Sequence, residues 1–182
     1  MPSDIILIGP QGVGKSTVGE LLAAQLGLPQ CSMDEHRWTY YREIGYDAAL
    51  AKQKSDTEGA WGIIRYWKPF EAHAVERLLS EHQNCVIDFG AGHSVYEDAK
   101  LFERVKTALA PYPNVVLLLP SPDLDESLLI LNQRNKDLPE DIRNTNEHFV
   151  RHRSNYALAK FTVYTQGKTP EEISREILSL VG

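Results

Sequence analysis

The chain has 182 residues, a length typical of one domain, and its 25 acidic against 19 basic residues give a net charge of −6. This balance excludes a generally basic nucleic-acid binder and a polybasic membrane anchor, so we expect neither nucleic acid nor membrane as a partner. The longest aliphatic run, residues 115–119, is far shorter than the roughly 20 residues that cross a bilayer. The first residues have neither a basic leader nor an apolar stretch of signal-peptide length, which predicts a cytoplasmic protein.

Short apolar strands alternate with longer helical patterns along the chain. Ile5–Ile8 predicts a strand covered on both faces, and apolar residues at 3–4 spacing then predict a helix that ends at Gly27. Further strands are predicted at residues 29–32, 85–87, 115–119 and 161–164. The alternation indicates an α/β fold with a mostly parallel sheet, formed by one domain over residues 1–182.

Two later helix starts are marked in the sequence. A proline follows Ser121 and Thr169, which predicts both hydroxyl residues as N-caps, and Glu172 would complete a capping box with Thr169. The last helix is predicted to bury one apolar stripe, formed by Ile173, Ile177 and Leu180.

Two segments depart from the strand–helix alternation. Residues 37–70 are rich in aromatic side chains, and residues 132–146 are polar, with arginines among acids and amides. An aromatic stripe is usually core packing. In α/β domains, however, insertions beyond the carboxyl ends of strands are also where ligands bind, so both interpretations stay open.

The cysteines and histidines are not predicted to form a metal site. Cys31 and Cys85 lie in predicted strands, where buried reduced thiols are favoured over a disulfide or a metal pair. The histidines lack metal-ligand spacing with one another and with the cysteines, so no zinc site is predicted. For His36 and His93 we also consider a position near an acceptor pocket.

The strongest signal is GPQGVGKS at residues 9–16, a complete G-x-x-x-x-G-K-S motif between a predicted strand and a predicted helix. Glycines let successive backbone N–H groups point into one concavity that holds phosphate oxygens, and the helix N-terminus adds positive partial charge. Lys15 would reach the β- and γ-phosphates, and the Ser16 hydroxyl would bind Mg²⁺. The residues predicted to bind ATP here are Gly9, Gln11, Gly12, Val13, Gly14, Lys15, Ser16 and Thr17.

A guanine-nucleotide switch is the first alternative for such a loop. Residues 135–138 read NKDL, which is similar to the N-K-x-D base-reading motif, but the required aspartate is absent and no predicted strand precedes it. The sequence therefore does not support guanine recognition.

The P-loop and the TVGELLA that follows at residues 17–23 resemble the shikimate kinases, within the nucleoside-monophosphate-kinase-like group of P-loop kinases. The resemblance implies a three-layer P-loop NTPase fold with a five-stranded parallel sheet in the order 2-3-1-4-5 and helices on both faces. It also implies a substrate-binding segment at about residues 34–80 and a lid at about residues 132–146.

The resemblance further implies roles for particular residues. Asp34 falls where the family has an acidic residue that holds the acceptor hydroxyl, and Arg134 matches the lid arginine, so Lys15, Asp34 and Arg134 are the predicted catalytic residues. Arg151 falls near an arginine that binds the substrate carboxylate. The turn formed by Gly90, Ala91 and Gly92 matches a glycine-rich turn against the substrate. Lys168 and Pro170 lie in a loop that resembles the one packed on adenine.

Two aspartates have alternative roles. Asp34 would hold or deprotonate the acceptor hydroxyl, or it would cap the helix that starts near Glu35. Asp88 ends a predicted strand, where a carboxylate would bind Mg²⁺ directly or through water, or it would cap the turn at Gly90.

The sequence departs from the shikimate kinase pattern at the substrate site. Ser32 replaces the first aspartate of the family's D-x-D pair, and Glu71 aligns with an arginine that binds the carboxylate. A glutamate there would repel shikimate, whereas aromatic residues such as Trp61, Tyr66 and Trp67 suit a neutral or cationic alcohol. If Arg65 faces the pocket instead of Glu71, the charge argument reverses.

Together these observations predict an Mg-ATP-dependent kinase that phosphorylates a hydroxyl of a small molecule other than shikimate, as a monomer or homodimer. Two alternatives stay open. One is a nucleotide or nucleoside kinase, and the other is a nucleotide-binding switch or slow ATPase with a protein partner.

Overall fold

The computed structural model describes residues 4–181, so the outermost residues of the predicted domain, 1–3 and 182, lie outside the described residues. Five parallel strands form one sheet: β1 (Ile5–Ile8), β2 (Gln30–Ser32), β3 (Val86–Asp88), β4 (Asn114–Leu119) and β5 (Phe161–Tyr164). Their order is β2-β3-β1-β4-β5, which confirms the predicted topology.

Helices cover both faces of the sheet. They are α1 (Lys15–Leu26), α2 (Met33–Glu43), α3 (Ala48–Glu81), α4 (Ala99–Leu109), α5 (Leu124–Arg134), α6 (Glu140–Arg143), α7 (Asn146–Arg151), α8 (Arg153–Leu158) and α9 (Pro170–Leu180). Residues 34–80 lie mainly in α2 and α3, and residues 132–146 run from the end of α5 through α6 to the start of α7.

The central strand β1 explains the two-sided core. Ile5 and Leu7 pack with side chains of α1, α5 and α9, whereas Ile6 and Ile8 pack with those of α2, α3, α4 and α8. All four are fully buried, and burying such a side chain is worth about 1.5–3 kcal/mol. Because β1 is packed on both faces and the P-loop follows it directly, the start of the P-loop is anchored in the core.

One glycine ends a helix and another divides a helix in two. Gly27 adopts a left-handed conformation with φ 66° and ends α1, as predicted. Gly59 has φ 65° and ψ −158°, so α3 consists of two helices joined there.

Two details of the predicted helices are wrong. The N-cap of α5 is Asp123, whose side chain accepts hydrogen bonds from the next turn, because the Ser121 hydroxyl donates to Glu126 instead. In α9 the Thr169–Glu172 capping box is present, but Leu180 is 41% exposed because it lies in the last turn. None of the described helices combines the length and apolarity needed to span a bilayer.

Candidate active site

The P-loop connects β1 to α1 and leaves the start of that helix open. Gly14 is the N-cap of α1 in a left-handed conformation with φ 101°, and no side chain caps the helix there. The first N–H groups of α1 are therefore available to an anion at the positive end of the helix. Gly9 leaves room for the Leu118 carbonyl of β4, which a Cβ at position 9 would strike.

Lys15 lies over this loop. Its Nζ donates hydrogen bonds to the carbonyl oxygens of Gly9 (2.8 Å) and Pro10 (3.0 Å). Burial lowers the pKa of Lys15 to about 8, although the negative charges of Asp88 and Asp34 oppose this shift. A phosphate group would supply the anionic partner that this buried ammonium lacks in the loop itself.

Asp88 lies at the end of β3, next to the start of α1. Its Oδ1 accepts hydrogen bonds from the hydroxyls of Ser16 (2.9 Å) and Ser32 (3.0 Å), and its Oδ2 accepts one from Gln30 Nε2 (2.8 Å). The turn after β3 has no side-chain cap, so the alternative role of Asp88 as a cap of the Gly90 turn is wrong. Ser16 and Asp88 offer the hard oxygen donors that Mg²⁺ prefers, and Ser32, the departure from the D-x-D pair, holds the carboxylate in place.

The start of the lid segment touches the P-loop. Arg134 Nη1 donates to the Gly12 carbonyl (3.2 Å), and Asn135 Nδ2 donates to the Gln11 carbonyl (3.2 Å). Gly12 has φ 82°, which favours glycine, and a Cβ there would lie 2.7 Å from Asn135 Oδ1. The sequence analysis considered Asn135 only as part of a base-reading motif and missed this contact.

A cleft of about 640 Å³ runs from the P-loop to the aromatic segment. The predicted site residues that line it are Gln11, Gly12, Gly14, Lys15, Ser16, Thr17, Asp34, Glu71, Gly90, Ala91 and Gly92. Ile142 and Thr145 of the lid segment line it as well. Residues far apart in the sequence therefore meet in one cleft with a phosphate end and an acceptor end.

Asp34 is the second residue of α2, and its side chain is 60% exposed. The N-cap of α2 is Ser32, so the alternative role of Asp34 as a helix cap is wrong. Its Oδ1 lies 3.4 Å from Arg37 Nη1, one turn further along the helix.

Arg37 is the main residue of the acceptor end that the sequence analysis missed. Its guanidinium lies 4.6 Å from the ring centre of Trp38 and 5.9 Å from that of Trp67. Its Nε is buried and has no hydrogen-bond partner among residues 4–181. The aromatic residues were expected to bind a cationic acceptor. This expectation is corrected, because the cation next to Trp38 and Trp67 is the protein's own Arg37. Trp61 and Tyr66 do not line the cleft.

His93, in the 3-10 turn Ala91–Ser94 after β3, is 1% exposed and lines the cleft. Its Nε2 lies 3.2 Å from the Tyr41 hydroxyl. Burial, with the positive charges of Arg37 and Lys68, lowers the pKa of His93 to about 3. The ring is therefore neutral at physiological pH.

Glu71 does not present an unpaired negative charge. It is 5% exposed, and its Oε2 lies 2.7 Å from Lys68 Nζ, which also donates to the Gly92 carbonyl (3.1 Å). The predicted repulsion of an anionic substrate by Glu71 is therefore too simple, since Lys68 balances its charge. Arg65 is exposed, pairs with Glu58 at 2.8 Å and does not line the cleft, so the alternative in which it replaces Glu71 is wrong.

Seven predicted site residues do not line the cleft: Gly9, Val13, Asp88 and Arg134 lie in or against the P-loop and α1, whereas Arg151, Lys168 and Pro170 lie elsewhere. Arg151 forms ion pairs with Asp125 and Glu147 on the surface, because α7 directs it toward α5. Lys168 pairs with Glu176 at 2.5 Å, and Pro170 begins α9. Within the described residues, Arg151 and Lys168 therefore form surface ion pairs, and Pro170 occupies the first position of a helix.

Three other residues come together against expectation. Ligand atoms of Glu97, His148 and His152 all lie within 4.8 Å of one another. The prediction that the histidines have no metal-ligand spacing is therefore wrong for His148 and His152. However, His148 already bonds Glu97 (2.5 Å), and His152 Nδ1 accepts the Ser154 N–H, so both side chains have protein partners.

The fold and the P-loop define a P-loop nucleotide-binding protein. Residues 5–148 match a protein family described as AAA domain. The chain is 30% identical over 197 residues to a shikimate kinase of Streptomyces coelicolor, with 97% of this chain and 94% of that protein covered. The chain belongs to the shikimate kinase family, and it is an ATP-dependent small-molecule kinase.

Solved structures agree with this fold. The shikimate kinase from Acinetobacter baumannii in complex with shikimate superposes with a TM-score of 0.63 at 22% identity, covering 98% of this chain and 92% of that one. The shikimate kinase from Aquifex aeolicus gives a TM-score of 0.58 at 26% identity, covering 98% and 95%.

Proposed function

We propose that the protein transfers the γ-phosphoryl group of Mg-ATP to a hydroxyl of a small polar molecule, and that shikimate is not its preferred acceptor. The observation that carries the proposal is that Lys15 and Asp34, from the ends of two different strands, line one cleft. A phosphate donor on the P-loop and an alcohol on Asp34 would therefore meet inside it.

The nucleotide end would act through charge and position. The N–H groups at Gly14 and the Lys15 ammonium would hold the phosphates, with Gly9, Gln11, Gly12, Val13 and Thr17 completing the loop. Bound Mg²⁺, held by Ser16 and Asp88, would neutralise phosphate charge. Arg134, already against Gly12, would close on the γ-phosphate. Contact of Lys168 and Pro170 with adenine stays a prediction.

The acceptor end would orient the alcohol. Asp34 would accept a hydrogen bond from the reacting hydroxyl, which turns its oxygen toward the γ-phosphate. Gly90, Ala91 and Gly92 would let the substrate approach the backbone closely. Arg37, the cation on this side of the cleft, would bind an electron-rich group of the acceptor through its unpartnered Nε.

Two contacts support an acceptor other than shikimate. Arg151, expected to hold a carboxylate, is engaged with Asp125 and Glu147 outside the cleft. The cation of the acceptor end is instead Arg37, only one helical turn from Asp34. A change in the place of the cation changes which alcohol fits, because a charge-assisted bond requires a defined geometry.

The test is transfer of labelled γ-phosphate from Mg-ATP to a small-molecule extract, with products identified by mass, beside a parallel assay with millimolar shikimate. We expect a labelled product from the extract and slow turnover of shikimate, with both lost in Lys15→Ala. Rapid shikimate turnover at low KM would contradict the specificity. ATP consumption without any acceptor, stimulated by a protein, would contradict the transfer reaction and favour a switch or ATPase.

A further inference from the structure

The two ring nitrogens of His93 have different surroundings. Nε2 faces the buried Tyr41 hydroxyl at 3.2 Å. Nδ1 is buried and makes no hydrogen bond of good geometry among the residues that the structure describes, although a weak interaction with the Gly90 backbone acts on the pKa of the ring. An unpartnered buried polar atom costs free energy, so its presence on the wall of a cleft indicates a group that a ligand completes.

Tyr41 determines which nitrogen carries the proton. Burial raises the pKa of Tyr41 far above its usual value, so its hydroxyl stays protonated. His93 Nε2 is the one hydrogen-bond partner of this hydroxyl found within residues 4–181, and we assign the Tyr41 O–H as the donor to Nε2. The neutral imidazole then carries its proton on Nδ1, and a Nδ1–H donor faces the cleft.

Gly90 lets the His93 ring and Asp34 approach the backbone closely at this point of the cleft wall. A Cβ at position 90 would lie 2.8 Å from His93 Nδ1 and 3.3 Å from Asp34 Oδ1. His93 Nδ1 and Asp34 Oδ1 therefore both lie close to Gly90, and all three residues line the cleft. A substrate atom placed over Gly90 would reach both.

We propose that His93 is an acceptor-binding residue whose Nδ1–H donates a hydrogen bond to an oxygen of the alcohol that Asp34 holds over Gly90. The proposal rests on the proposed kinase function and deepens it. The oxygen bound by His93 is a second oxygen of the acceptor, because a hydrogen bond donated to the reacting hydroxyl would withdraw electron density from the oxygen that attacks phosphorus. The substrate class is thus an alcohol with another oxygen on a neighbouring carbon.

A matched pair of variants tests this role. In His93→Asn the side-chain amide lies near the position of Nδ1 and keeps a donor toward the cleft. In His93→Gln the amide lies near the position of Nε2 and keeps only the contact with Tyr41. The assay measures transfer of labelled γ-phosphate to a dilution series of one small-molecule extract, which gives a half-saturating acceptor level for each variant. Thermal melting and the half-saturating ATP concentration are measured beside it.

We expect His93→Gln to raise the half-saturating acceptor level about tenfold, as loss of one buried donor predicts, and His93→Asn to raise it less than about threefold. Tyr41→Phe, which frees Nε2, should fall between the two. The half-saturating ATP concentration should not change. Equal losses in His93→Asn and His93→Gln, or a larger loss in His93→Asn, would show a packing role and overturn the inference. Absence of transfer by the wild type would instead overturn the proposed function.

Discussion

The two ends of the cleft differ in whether their polar groups already have hydrogen-bond partners within the protein. At the phosphate end, Lys15 Nζ has two carbonyl partners and Asp88 has three donors. At the acceptor end, Arg37 Nε and His93 Nδ1 are buried without a partner among residues 4–181. The phosphate end is thus organised before any ligand binds, whereas the acceptor end keeps polar groups whose hydrogen bonds a bound acceptor or water would complete.

The largest expected effect is at the phosphate end. Lys15→Ala should lower the rate of phosphoryl transfer by about 100-fold or more, since it removes a positioned charge from the reacting phosphates. The melting temperature should change little, because the ammonium bonds only to backbone carbonyls of its own loop. Lys100→Ala, an exposed lysine at the start of α4, is the matched control. Near-normal turnover of Lys15→Ala with saturating Mg-ATP would contradict the catalytic role of the loop.

The second effect is the pH dependence of stability that His93 causes. Its pKa is about 3 in the folded protein and near 6.5 when unfolded, so the unfolded chain binds the extra proton as the pH falls below 6.5. The free energy of unfolding should therefore decrease by about 2 kcal/mol between pH 7 and pH 5 from this residue.

Denaturant unfolding of the wild type and of His93→Asn at both pH values measures this contribution. The variant should lose less stability than the wild type on acidification. The groups that face His93 are Asp34, Arg37 and Tyr41 from α2 and Lys68 from α3, and all remain in the variant. Identical losses in the two proteins would show that the imidazole is not held neutral.

The third effect is at Arg37. Arg37→Lys keeps the charge but removes the buried Nε donor, so the KM for the acceptor should rise about tenfold, as loss of one charge-assisted bond predicts. The KM for ATP should stay unchanged, since the contacts found for Arg37 within residues 4–181 are with Asp34, Trp38 and Trp67 and not with the P-loop. Arg42→Lys, an exposed position on the same helix, provides the control. An equal rise in the KM for the acceptor and in the KM for ATP would contradict a hydrogen bond between Arg37 Nε and the acceptor.

The smallest effect is in the lid. Residues 132–146 contain few buried side chains, and Arg134 and Asn135 join them to the P-loop by long hydrogen bonds. A non-hydrolysable ATP analogue should slow amide exchange there several-fold, with strand β4 as an unaffected reference. Unchanged exchange in the lid would favour a protein that binds nucleotide without closing.

Local sequence predicted the phosphate end because its chemistry lies in consecutive residues. The P-loop needs only a strand, eight adjacent residues and a helix, and every strand except the short β2 was recognisable from its own apolar run. Asp88 was found for a similar reason, since it ends a buried strand beside β1. The capping box at Thr169 was likewise a local signal.

Only the tertiary structure decided the acceptor end. Arg37, Lys68 and His93 come from three different elements, and of the three only His93 was considered near the acceptor pocket from the sequence. In the folded protein Arg37 contacts Trp67, Lys68 pairs with Glu71 and His93 contacts Tyr41, and these contacts place the three residues at the acceptor end. Arg151 instead forms ion pairs with Asp125 of α5 and with Glu147 of its own helix, outside the cleft. A local pattern determines which backbone forms, but the burial and partners of a side chain depend on residues distant in the sequence, so only the packed fold determines its charge state and role.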